Sequence, residues 1–193
     1  MRRLLAMALL AALLAPACSK REAPPFQLTD VTGASFGKSL ALTDHNGVRR
    51  ALTDFRGKVV VIFFGFTQCP EACPTTMIEL ARVARDLGPD AARMQVLFVT
   101  VDPERDTPAV LRHYVPAFQP TFLGLYGTAD ETARTAKEFK VYYQKQRLPG
   151  GGYTMDHSAG TFVFDPQGRL RLFAQYGAGA QALLHDIRIL LAS

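Results

Sequence analysis

Two cysteines four residues apart and one distant histidine carry the chemistry that this sequence offers. Cys69 and Cys73 stand in GFTQCPEACP (residues 65–74), at the end of the apolar run Lys58 to Phe66. A spacing of four brings both sulfurs to one side of a helical turn. A helix start also presents unpaired N–H groups and the positive end of the helix dipole, which lower a thiol pKa. The thiolate is the nucleophilic and metal-binding form of cysteine. Three uses fit such a pair. A structural disulfide would close so short a loop that it stabilises little. A redox dithiol would cycle between two thiols and one disulfide, here with three intervening residues where two are usual. A metal site would use the pair as soft donors for Cu(I) or zinc, and needs a third ligand.

The chain has four histidines. His45 falls in the turn Asp44-His45-Asn46-Gly47 and is expected to be solvated. His113 and His185 fall within helical stretches, where packing or surface roles are expected. His157 differs: it follows a glycine-rich loop and just precedes an apolar strand. Imidazole suits copper as well as zinc, which makes His157 the expected third ligand. Asp102 and Asp106 lie in VDPERDTP (residues 101–108), where a second buried strand ends. Asp102 is a candidate to tune the site from behind the ligands, with a turn-forming role as the plainer reading. Asp106 reads as a helix cap, and Asp156 is a candidate to orient His157. Met77 and Met155 carry soft thioethers but read as core residues.

The elements that must position these residues follow from pattern. Leu40 to Thr43 and Val48 to Leu52 flank an Asn-Gly turn and read as a hairpin. Lys58 to Phe66 and Met94 to Val101 are continuous apolar runs, as in strands buried on both faces. Glu71 to Leu87 has helical apolar spacing, ended by Gly88-Pro89. Helices are expected over Thr107 to Phe118, Asp130 to Phe139 and Gly179 to Leu191, with Asp106 or Thr107 capping the first of them. Phe122 to Tyr126 reads as a short strand and Val141 to Gln146 as extended. Leu148 to Gly152 reads as a loop, and Thr161 to Phe164 with Leu170 to Phe173 as a second hairpin. This order predicts an α/β protein with a thioredoxin-like fold, a central mixed sheet flanked by helices, plus an added N-terminal β-hairpin. In such a sheet the segment before Thr161 enters beside the cysteine strand, which would bring His157 over both thiols. Thioredoxins carry a proline at that strand start; here the counterpart is Gly160-Thr161.

Composition bounds the rest. At 193 residues, 48% hydrophobic and 20% charged, the chain suits one globular domain plus an appendage. It is too apolar for a disordered protein, and three cysteines are too few for a disulfide scaffold. No window of about 18 apolar residues occurs beyond the N-terminus, which excludes a multi-span membrane protein. Arg2 and Arg3, the apolar run Leu4 to Leu14 and Ala15-Pro16-Ala17 read as a secretory signal. Together with Cys18 this segment resembles a bacterial lipoprotein signal, which implies acylation of Cys18 and a lipid anchor on the periplasmic side of a bacterial membrane. The expected organisation is a signal peptide over 1–17, a lipid-anchored linker over 18–25 and a thioredoxin-like domain over 26–193. Loss of Arg2 and Arg3 takes the formal charge from +5 to +3. With no long basic run left, nucleic acid is excluded as a partner.

GFTQCPEACP, VDPERDTP and Asp156-His157-Ser158, in that order, resemble the Sco/SenC family of copper chaperones over about residues 25–191. The resemblance implies copper, as Cu(I) or Cu(II), on Cys69, Cys73 and His157. It implies delivery from a periplasmic copper donor to the dinuclear CuA centre of cytochrome c oxidase subunit II. It also implies an overlapping activity: a membrane-tethered thiol–disulfide oxidoreductase that keeps the CuA cysteines reduced. Two thiolates and one imidazole form a three-coordinate site suited to Cu(I). An open site passes its metal on by ligand exchange, whereas a closed four-ligand site retains it. On this reading the protein is a metallochaperone rather than an enzyme.

Overall fold

The computed structural model describes residues 26–193; the readings for the signal segment, the linker and Cys18 lie outside the described residues. In chain order the elements are β1 (Thr29–Asp30), β2 (Ala41–Asp44), β3 (Arg49–Ala51), β4 (Val59–Gly65), α1 (Ala72–Leu87), β5 (Met94–Thr100), α2 (Pro108–Tyr114), β6 (Leu123–Tyr126), α3 (Ala129–Glu138), β7 (Tyr143–Arg147), β8 (Tyr153–His157), β9 (Thr161–Phe164), β10 (Leu170–Ala174) and α4 (Ala180–Leu191). Among the described residues, no helix is long and apolar enough to cross a membrane.

The two apolar runs become the centre of one sheet of order β1-β10-β9-β4-β5-β6-β2-β3. Every residue of β4 and of β5 is buried. Strands covered on both faces need apolar side chains throughout, which is why these runs show no alternation. Their side chains still point alternately to the two faces. Phe63 packs on Phe98, and Phe98 on Tyr114 of α2. Phe64 meets Phe139 and Phe162. β4, β5 and β6 are parallel, and β9 returns antiparallel to β4. The fold is thioredoxin-like, and the N-terminal hairpin β2–β3 extends the sheet through β2 and β6.

Several local expectations are revised. His45 is buried, at 4% exposure: its N–H donates to Gly124 O, and its Nδ1 accepts from Gly124 N–H at 3.0 Å. The Asn-Gly turn reports local backbone, and β6 packs over it. Thr107, not Asp106, caps α2, its hydroxyl accepting from Val110 N–H at 3.3 Å. The stretch around 141–146 and the glycine loop are the first strand and tip of a hairpin, β7–β8, that forms a separate two-stranded sheet.

Gly160, the residue before β9, is buried. A Cβ there would lie 2.2 Å from the Phe173 ring, so the space that a side chain would need is already filled.

Candidate metal centre

The cysteine turn begins where β4 ends. The parallel register sets Gly65 against Thr100, and Val101 N–H donates to Gly65 O at 2.8 Å. The segment Val101 to Asp106 therefore leaves the sheet beside the cysteine turn. Asp106, 1% exposed, ties the two together. It accepts from Thr67 N–H at 3.0 Å, from the Thr67 hydroxyl at 2.6 Å and from the Thr100 hydroxyl at 2.6 Å. Burial raises the pKa of this carboxyl against the pull of those donors.

α1 starts at Ala72, so Cys69 sits in the turn before the helix and Cys73 in its first turn. The sulfurs still meet: Cys73 N–H donates to Cys69 Sγ at 3.4 Å. Both thiols are free; Cys69 is half-buried and Cys73 fully buried. Gly65 leaves room for Cys73, since a Cβ at 65 would lie 2.8 Å from Cys73 Sγ. The helix start does not give Cys73 the lowered pKa expected of it. Burial dominates and pushes the thiol far above the usual range. A bound cation reverses this balance by supplying the charge that a buried thiolate needs.

His157 ends β8 and reaches over the pair. Its Nε2 lies 3.8 Å from Cys73 Sγ and its Nδ1 3.1 Å from Ser158 O. A proton on Nδ1, donated to that carbonyl, leaves the Nε2 lone pair facing the sulfurs. Phe63 and Phe66 meet the imidazole edge-on at 6.5 and 5.8 Å between centroids. Burial lowers the His157 pKa, which keeps the ring neutral and able to bind metal near neutral pH. The donor atoms of Cys69, Cys73 and His157 all lie within 4.8 Å of one another, a group able to hold a metal ion.

The carboxylates take other places. Asp102, 2% exposed, pairs with Arg105 Nε and accepts from Tyr153 O–H at 2.9 Å. It lies outside the donor group. Asp156 is exposed, and the Ser158 carbonyl rather than Asp156 bonds the His157 ring. Met77 and Met155 are core residues, 0% and 7% exposed. His113 is exposed in α2, and His185 Nδ1 bonds its neighbour Asp186 at 2.7 Å. Sequence reasoning passed over Arg105 and Tyr153. Arg105 lies inside a motif already singled out, but its partner is 48 residues away and carries no local signal.

A mixed sheet whose central strand opens into a thiol pair, with an imidazole over both sulfurs, defines a thioredoxin-like protein with donors for a soft metal ion. The SCO1/SenC family profile matches residues 29–192, and the chain belongs to that family. The mitochondrial SCO2 homolog of Bos taurus is 40% identical over 145 residues, covering 74% of this chain and 53% of its own length. The chain spans about half the length of the curated relatives it matches. The structure of Bradyrhizobium japonicum ScoI with copper bound is 36% identical, with a TM-score of 0.73, covering 80% of this chain and 98% of that one. The solution structure of apo Sco1 from Thermus thermophilus is 40% identical, with a TM-score of 0.77, covering 86% and 98%.

Proposed function

We propose that this chain binds copper through Cys69, Cys73 and His157 and works in the assembly of cytochrome c oxidase, handing the ion to the CuA site of subunit II. The observation that carries this reading is the convergence of two thiols and an imidazole within 4.8 Å, with Cys69 half-exposed. Two soft sulfurs and a borderline nitrogen match Cu(I). Copper-bound homologues and family membership, in a family of oxidase assembly proteins, support it. Transfer follows from exposure. An acceptor cysteine approaches copper on the Cys69 side, joins it and displaces the protein's donors in turn. We also assign residues 1–17 to a signal peptide and Cys18 to a lipid anchor. A tether over 18–25 would then hold the domain at the periplasmic face of a bacterial membrane, where a copper donor loads it.

A second activity is favoured by the half-exposed Cys69 beside buried Cys73, which presents Cys69, as its thiolate, as the attacking sulfur. That thiolate attacks an acceptor disulfide and releases one acceptor thiolate. Cys73, once deprotonated, then attacks the Cys69 sulfur and releases the second. The acceptor gains two thiols and this chain one disulfide.

The test is a Cu(I) titration of the reduced full-length protein against a competing chelator. One Cu(I) per chain is expected, with affinity reduced in Cys69→Ser, Cys73→Ser and His157→Ala. Unchanged affinity in His157→Ala would refute the three-donor site. Reduction of a disulfide substrate that needs both cysteines and survives loss of His157 would support the oxidoreductase activity.

A further inference from the structure

Among the described residues, the imidazole is delivered by the one hairpin that has no ladder to the main sheet. β7 and β8 pair only with each other, Tyr143 opposite His157 at one end and Arg147 opposite Tyr153 at the other. Something else must fix the hairpin over the thiols. Met155 packs into the core, and polar contacts to the segment between β5 and α2 fix the rest. Arg105 Nη1 donates to the Tyr153 carbonyl at 2.7 Å and to Gln68 Oε1, in the cysteine turn, at 3.0 Å. Its guanidinium carbon lies 3.7 Å from the centre of the Tyr153 ring and 5.9 Å from that of Phe66. Arg105 Nε pairs with Asp102, which also takes the Tyr153 hydroxyl. Lys145 of β7 reaches Glu104 at 2.7 Å. Arg105 thus touches the cysteine turn, the hairpin and the Phe66 ring that packs against His157.

We propose that Arg105 and Tyr153 form a latch that positions His157 over the thiols, so that Arg105 is a positioning residue for copper capture. The inference rests on the three-donor reading above. The latch is polar and partly exposed, unlike the packing that fixes Cys73. Arg105 Nη2 is buried and has no hydrogen-bond partner among the described residues, while the stack on Tyr153 and the bonds of Nε and Nη1 hold the guanidinium plane. A planar fork that stacks on a ring and bonds a carbonyl has no equivalent in lysine.

The test is a double-mutant cycle on the reduced full-length protein, read as Cu(I) affinity against a chromogenic chelator. Arg105→Ala is expected to weaken binding about tenfold with His157 present, the scale of groups that orient metal ligands. In a His157→Ala background the same change is expected to cost less than about twofold, because the ligand it positions is gone. Arg105→Lys should resemble Arg105→Ala. Tyr153→Phe, which keeps the stack and the carbonyl, should retain most of the affinity. Arg105→Lys carries the same cycle if Arg105→Ala does not fold. In metal-free protein, amide exchange should speed up over residues 143–157 in Arg105→Ala and stay unchanged in α1.

Equal affinity losses in the two backgrounds, or hairpin exchange unchanged by Arg105→Ala, would overturn the latch. Wild-type copper affinity in His157→Ala alone would instead sink the three-donor reading, and the exchange result would still decide whether the latch exists.

Discussion

Cys73 and His157 lie 3.8 Å apart but are held by different kinds of structure. Cys73 grows out of the core. It follows a strand buried along its whole length, sits in the first turn of α1 and packs where Gly65 leaves space. Its turn is tied to the neighbouring loop through buried Asp106. His157 belongs to a hairpin that, among the described residues, has no ladder to the main sheet; Met155 anchors it in the core, and a stacked guanidinium and the Lys145–Glu104 ion pair hold its outer part. The thiols are therefore placed by the same packing that folds the domain, whereas the imidazole is placed by a core anchor at Met155 together with polar contacts that can be removed while the core stays intact. On the proposed function, release of copper gains from one ligand that leaves more easily than the others.

Substitutions on the two sides should separate fold from site. Cys73→Ser should have the largest effect. Copper affinity is expected to fall more than about a hundredfold, beyond what groups behind the ligands supply. Thermal or denaturant unfolding should also show about 1–3 kcal/mol lost, because a hydroxyl is costlier to bury in the core than a thiol. Gly65→Ala comes next. The new Cβ meets Cys73 Sγ at 2.8 Å, so overpacking should cost about 1–3 kcal/mol, with copper affinity falling in step. On the hairpin side, His157→Ala should lower copper affinity while unfolding free energy changes by under about 1 kcal/mol. Copper loss accompanied by equal destabilisation on both sides would break the contrast.

The smallest effect should come from acid. Burial lowers the pKa of His45 and of His157 below the ordinary histidine value. The unfolded chain then binds more protons than the native one below about pH 6.5. Both groups thus contribute stability that is present above that pH and is lost as pH falls through their folded values. Denaturation midpoints compared between about pH 7 and pH 5 should show this. His45→Gln should flatten the dependence.

The core side of this contrast was the legible side. β4 and β5 are uninterrupted apolar runs, and the cysteine spacing survives whether the turn is helical or not. The placement of His157 followed from sheet topology, because the segment before β9 has to enter beside β4. The hairpin itself was read only as an extended stretch and a loop, since its first strand, YQKQR, is polar and largely exposed. The Arg105–Tyr153 stack joins residues far apart in sequence through geometry that no spacing rule encodes. His45 shows the same limit in reverse: its turn and the strand Phe122 to Tyr126 were both legible, but not that the one packs on the other. The thiol pKa was misjudged because a helix start is a local feature, while the burial that outweighs it belongs to the tertiary structure.

X-ray absorption of the Cu(I)-loaded, reduced full-length protein tests the central claim most directly. The three-donor account predicts copper bound by two sulfurs and one nitrogen, with the nitrogen contribution lost in His157→Ala. A spectrum of sulfur donors alone in the unmutated protein, or a nitrogen contribution that persists without His157, would contradict it.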